Sequence, residues 1–123
     1  MEPLLLKKTE DTPEIFFNPE NDNFFISERS LPENAIEFYQ PIFNWLNDYF
    51  VSPNTTTIFD FKLEYYNTST AKQLAKLLML LEKHSVNHKI TVRWHYDKED
   101  ADMKDSGARY AKLININFEF IEY

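Results

Sequence analysis

The stretch Tyr65-Tyr66-Asn67-Thr68-Ser69-Thr70-Ala71-Lys72 concentrates more potential chemistry than any other part of the chain. It lies where an alternating apolar segment gives way to a helical one, and four of its residues can cap a helix. A hydroxyl at such a junction accepts hydrogen bonds from the first free backbone N–H groups. The same hydroxyl can instead accept a phosphoryl group. A phosphate would bring about −1.5 to −2 charges to the positive end of the helix, where the fold tolerates it. Lys72, four residues on from Thr68, supplies a pairing cation. From the residues alone, cap and phosphoacceptor both stay open. A Thr68 that only capped would cost about 1 kcal/mol when replaced by Ala and would alter no regulation. As a phosphoacceptor it would act on binding. The local dipole effect of about 0.3–1 kcal/mol cannot melt a domain, whereas burying that charge against an unmatched partner costs several kcal/mol.

Other groupings carry less. His84 and His88 are four apart but straddle the end of a helix, and no cysteine or convergent carboxylate completes a metal set with them or with His95. Asp97, Glu99, Asp100, Asp102 and Asp105 suggest calcium, yet the glycine required at the sixth loop position is Asp102 in one register and Asp105 in the other. A solvated acidic loop feeding a helix fits better. The single glycine, Gly107, excludes a phosphate-cradling loop, which needs several. No metal or cofactor is expected. A small hydrolase using His95 and Asp97 remains an alternative, without a Gly-x-Ser-x-Gly turn to support it.

These residues need a scaffold, and the patterning supplies one. Residues 14–28 read as a hairpin, with Ile15-Phe16-Phe17 and Phe24-Phe25-Ile26 flanking a turn rich in Asn, Pro and Asp. A first helix over 33–50, with Ser30 as its upstream cap, places Ala35, Ile36, Tyr39, Ile42, Leu46 and Tyr49 on an apolar half and Pro41 on the wet side. A strand follows in which Phe59, Phe61, Leu63 and Tyr65 alternate with Asp60, Lys62 and Glu64. A second helix, about Ser69 to Ser85, carries a polar strip of Lys72, Gln73, Lys76 and Lys83. Leu80 sits on that strip, as a merely exposed leucine or as an anchor for a partner whose acidic groups the lysines read. A strand over 89–96 buries Ile90, Val92 and Trp94 and turns Thr91, Arg93 and His95 outward. A helix near 99–112 and a last strand with Ile116, Phe118 and Phe120 complete the order βββαβαβαβ. Two strands with one charged face put the helices on one side only. The expected fold is a two-layer α/β domain, an open mixed sheet with helices on one face, formed by residues 1–123 as a single domain.

Bulk composition agrees. Hydrophobic residues make up 43% and aromatic residues 16% of the 123, enough for a real core. Twenty acidic against thirteen basic residues, a formal charge of −7, disfavour nucleic acid as a partner. No apolar run approaches a membrane span, and the start lacks the pattern of a signal peptide, so a cytoplasmic protein is expected.

Three blocks in order resemble the SiaC family of regulatory phosphoproteins. They are Pro32-Glu33-Asn34-Ala35 with Trp45-Leu46, then Leu63 through Lys72, then Val92-Arg93-Trp94-His95-Tyr96-Asp97, with Asp100-Ala101-Asp102-Met103 following. The resemblance covers residues from about 30 onward and implies a STAS-like fold, that of anti-sigma-factor antagonists. It also implies phosphorylation by a dedicated kinase, removal of the phosphate by a PP2C-type phosphatase, and binding and activation of a diguanylate cyclase by the unphosphorylated form, without catalysis by the chain itself. The output would be cyclic-di-GMP and biofilm signalling through partner switching. The family's acceptor falls on Thr68, with Ser69 second by analogy with the antagonists. Around it, Tyr66, Asn67, Ser69, Lys72, Lys76 and Leu80 are the expected partner contacts. Thr70 stands where a Ser is common in the family, which leaves a hydroxyl in place. A constitutive scaffold, with Thr68 only a cap, is the remaining alternative.

Overall fold

The computed structural model describes residues 1–123. Strands β1 (Leu4–Leu6), β2 (Glu14–Asn18) and β3 (Asn23–Ser30) form an antiparallel meander. Strands β4 (Thr56–Tyr66), β5 (Lys89–Tyr96) and β6 (Asn117–Glu122) then add in parallel beside β3, so the sheet order is the chain order. Helices α1 (Ala35–Tyr49), α2 (Thr68–Ser85) and α3 (Ala101–Leu113) are the three crossovers. Parallel neighbours joined by crossovers of one hand and one direction must stack every helix on the same face. The core lies beneath them: Ile15, Phe17, Phe24, Ile26, Phe59, Phe61, Leu63, Ile90, Val92 and Trp94 are all buried. The other face is open and carries Asp60, Lys62, Glu64, Arg93 and His95.

The hairpin is made by turn chemistry. Asn18 accepts from Glu20 N–H at 3.2 Å to start a turn at Pro19–Asn21, and Asp22 closes it at φ 52°, a region short polar side chains tolerate. Phe16 then faces Phe25, and Phe17 faces Phe24, across the strands.

Four expectations are corrected. Ser30 does not cap the first helix; it is fully buried at the end of β3, and Asn34 caps instead, accepting from Glu37 N–H at 3.1 Å. Ile36 is 65% exposed, because it lies about 100° around the helix from Ala35 and the core uses only the narrower Ala35–Tyr39–Ile42–Leu46–Tyr49 seam. Gln73 is buried beside Leu74 rather than on the wet strip. Tyr65 is 49% exposed because β4 carries one extra residue against β3, where Glu28 pairs Leu63 and Arg29 pairs Tyr65. Such a bulge reverses the alternation, turning Tyr65 outward under the Arg29 guanidinium and Tyr66 inward against Trp94.

Candidate functional site at the start of the second helix

The junction between β4 and α2 is held from below by a buried chain of hydroxyls. The Thr70 hydroxyl donates to the Ser30 carbonyl at 3.0 Å, which leaves its oxygen to accept from the Ser30 hydroxyl at 2.9 Å. The Ser30 oxygen in turn accepts from Tyr39 at 2.8 Å. All three side chains are fully buried, so β3, α1 and α2 are pinned at one point without a solvent-exposed bond. Tyr110 of α3 donates to the Ala71 carbonyl at 2.9 Å, fastening the first turn of α2 from the other side.

Burial keeps these phenols protonated. It pushes the Tyr39 pKa up to about 12, against a smaller opposing effect of Ser30. Burial, then the neighbouring Tyr66 hydroxyl, raises that of Tyr110. A group whose folded pKa lies above its unfolded one contributes stability below the unfolded pKa and loses it as pH rises through the folded one. Stability is therefore expected to fall between about pH 10 and 12, with roughly 2–3 kcal/mol of the loss traceable to Tyr39. Urea melts across that range should show a flatter decline for Tyr39→Phe. An equally steep decline in that variant would assign the alkaline loss elsewhere.

On this platform Asn67, not Thr68, is the cap. Its side chain accepts from Thr70 N–H at 2.9 Å and its carbonyl from Ala71 N–H at 3.0 Å. Its own N–H donates to the Ser30 carbonyl at 3.2 Å. Thr68 is the first helical residue and Ser69 the second, and both are exposed. Thr68 lies about 200° around the helix from buried Thr70, so its side chain faces solvent. Neither hydroxyl has a hydrogen-bond role in the fold, and the N–H groups at these two positions have no intrahelical acceptor. Asn67→Ala should thus cost about 1 kcal/mol, while Thr68→Ala should stay within about 0.5 kcal/mol of the parent. Chemical denaturation of the two variants, side by side, checks the assignment; equal losses would restore Thr68 as a structural cap.

The remaining expected contact residues spread along α2. Lys72, Lys76 and Lys83 are exposed and make no ion pair. Ser69 and Lys72 line a depression of about 1000 Å³ with Glu33, Asn34 and Ile36 of the facing segment. Lys76 and Leu80 line a second, of about 480 Å³, with Phe43, Met79 and Lys83. Leu80 is half-buried rather than free, and Tyr66 is half-buried at right angles to Trp94. The sequence reading places Ile36 in the core and does not single out Met79, although Met79 lies seven residues from Lys72, the spacing that shares a helix face.

The histidines and the acidic loop assemble differently. His84 and His88 both stack on Phe50, with ring centroids 4.3 and 6.3 Å away, so the two rings come together after all. Burial, then Lys83 and His88, lowers the His84 pKa. His95 bonds Asp60 at 2.7 Å, not Asp97, and Arg93 reaches the same carboxylate oxygen at 2.9 Å. Asp97 accepts instead from Glu99 N–H at 2.9 Å, and Asp100 caps α3 by accepting from Met103 N–H at 2.9 Å. No three carboxylate or imidazole side chains gather as a metal set.

Fold and site together define a two-layer α/β domain that presents exposed hydroxyls at the head of a lysine-lined helix face. A match to the SiaC family regulatory phosphoproteins spans residues 6–123, and the chain belongs to that family. An uncharacterized protein of Pseudomonas aeruginosa strain UCBPP-PA14 is 29% identical over 119 residues, 96% of this chain and 94% of its own length. SiaC of Pseudomonas aeruginosa superposes with a TM-score of 0.89 at 25% identity, over the whole of both chains. The structure of the diguanylate cyclase SiaD in complex with its activator SiaC, from the same organism, matches with a TM-score of 0.90 at 24% identity, over 98% of this chain and 99% of that one. The family is regulatory, and no helix here is long and apolar enough to cross a membrane.

Proposed function

We propose that this protein is a cytoplasmic, non-catalytic binding module gated by phosphorylation of Thr68. In its unphosphorylated form it binds and activates an effector, a diguanylate cyclase, so that its output is cyclic-di-GMP. A dedicated kinase adds the phosphate and a PP2C-type phosphatase removes it. The observation that carries this reading is the division of labour among neighbouring polar groups. Asn67 does the capping and Thr70 is locked in the buried hydroxyl chain, whereas Thr68 is exposed, outward and structurally idle. Ser69 shares that exposure and is the second choice of acceptor. The activator role of the Pseudomonas aeruginosa SiaC toward SiaD supports a cyclase as the effector class.

The test is a pull-down from native lysate with Thr68→Ala and Thr68→Glu as baits, the captured proteins being identified by mass spectrometry. An effector retained by the Ala form and absent with the Glu form is the expected outcome. Equal capture by both would overturn the gate.

A further inference from the structure

The sheet ends in two unlike edges. β1, on one side, is three residues long, whereas β6, on the other, runs for six residues with only β5 beside it. Its register on β5 is unbroken, and it holds no proline, lysine or bulge of the kind that blunts an exposed edge. Hydrogen bonds fix which of its groups look outward. Tyr123 N–H donates to the Tyr96 carbonyl at 3.0 Å, and the Tyr123 carbonyl accepts from Lys98 N–H at 2.9 Å, so residue 123 turns both groups toward β5. Direction alternates along a strand. Asn117, Glu119 and Ile121 therefore bond β5, and the N–H and C=O groups of Phe118, Phe120 and Glu122 face the open edge. Their side chains lie on the helix-covered side. Phe118 stacks on buried Trp94, and Phe120, 41% exposed, stands 5.2 Å from Phe118 between ring centroids.

We infer that β6 pairs antiparallel with β6 of a second copy, about a two-fold axis through Phe120, joining two six-stranded sheets into one. Among the registers that join outward groups, charge and bond number choose this one. Centred on Glu119, the pairing sets two Glu119 carboxylates directly opposite each other, which is destabilising. Centred on Ile121, it leaves the outward groups of Phe118 without a partner in the facing strand. Centred on Phe120, it pairs Phe118 with Glu122 and Phe120 with its own copy, each pair exchanging two hydrogen bonds. Glu119 then faces Ile121, and Phe118 and Phe120 of both copies meet on the helix side. Repulsion opposes the contact, since each copy carries −7 and Glu119 lies diagonal to its equivalent. The joint is also small, so the dimer is weak and concentration-dependent. Both α2 helices lie on one face of the joined sheet, and Thr68, two strands from the joint, stays uncovered. The pairing is independent of the phosphoswitch.

Sedimentation equilibrium of the full chain at rising concentration should show a reversible dimer, about threefold tighter or more at physiological than at low salt. Phe120→Asp, which opposes two carboxylates at the axis, should weaken it about tenfold or more. Glu122→Pro should weaken it about tenfold as well, because it deletes an outward N–H that β5 does not use. That variant also removes a repulsive charge, so only the lost edge bond accounts for a loss. Melting temperatures of both variants should stay near the parent's, since no bond to β5 changes. The chain has no cysteine, so oxidation can read the register. Phe120→Cys should cross-link to itself, and Glu119→Cys to Ile121→Cys in a mixture faster than Glu119→Cys to itself. A chain that stays monomeric throughout, a dimer untouched by Phe120→Asp and Glu122→Pro, or faster self-linking of Glu119→Cys would each overturn the pairing. A photo-cross-linking amino acid at Phe120, in the chain made in its own cells, should yield a product of two copies. A product with an extended segment of another protein alone would overturn the second copy as occupant.

Discussion

Thr68→Glu is expected to weaken effector binding at least tenfold and the phosphorylated protein roughly 100-fold, with the fold intact in both. The two halves of that result have different origins. Within the isolated domain, a negative group at the first position of α2 faces free backbone N–H groups and the positive end of the helix, which favours it by about 0.3–1 kcal/mol. Thermal stability should therefore hold or rise slightly. In the complex, the same charge meets the partner's surface with water removed, where like-charge juxtaposition costs several kcal/mol and each 1.4 kcal/mol is a factor of ten. Glutamate carries one charge and a phosphothreonine about two, hence the graded effect. Titration calorimetry on the purified pair, with melting curves of both variants, separates the contributions. A Thr68→Glu protein that melts well below the parent would mean that lost binding reflects damage to α2, not a gate.

Gly107→Ala should destabilise the domain by about 2 kcal/mol, lowering the melting temperature by roughly 5–10 °C. In an ordinary exposed helix this change gains nearly 1 kcal/mol of helical propensity. Here a Cβ would lie 2.4 Å from Trp94 Cδ1 and 2.6 Å from Nε1, a separation that no relaxed structure keeps. The indole cannot swing aside. It is 1% exposed, donates to the Met103 carbonyl at 3.0 Å, and stacks on Phe61 and Phe118 with Tyr66 edge-on. Overpacking of a well-filled core costs about 1–3 kcal/mol or more, which exceeds the propensity gain. Shrinking the ring should relieve the clash, so Gly107→Ala with Trp94→Phe should cost less than the sum of the single changes. A Gly107→Ala protein that melts at or above the parent would show that the indole yields.

Much of the architecture was legible in the residues. The alternation of β4 and β5, apolar on one side and charged on the other, required a sheet with one covered face, and the helical spacing of Leu74, Leu77, Leu78 and Leu81 required a helix over it. Asn, Thr and Ser at a strand-to-helix junction marked the candidate site, because short polar side chains of this kind are favoured at a helix start. These are local signals, carried by period and residue type, and they survive without knowledge of neighbours.

What tertiary structure decided was which of several equivalent groups does which task. Local sequence cannot rank Asn67, Thr68, Ser69 and Thr70, since each can cap. Docking of β3 and α1 brings Ser30, itself bonded to Tyr39, onto Thr70, burying it, and the resulting helix phase leaves Asn67 to cap and Thr68 in solvent. Ile36 and Gln73 exchanged their expected places for the same reason: a helical wheel gives angles, but the width of the buried seam depends on what packs against it. The reversal at Tyr65 and Tyr66 needs a strand register, and register is a property of two segments far apart in the chain. His95 paired with Asp60, thirty-five residues away, rather than with Asp97, because adjacent strands of a sheet bring distant residues closer than a two-residue step along one strand. Residue chemistry thus marked the place of the candidate site, and long-range packing assigned the structural roles of capping and burial within it.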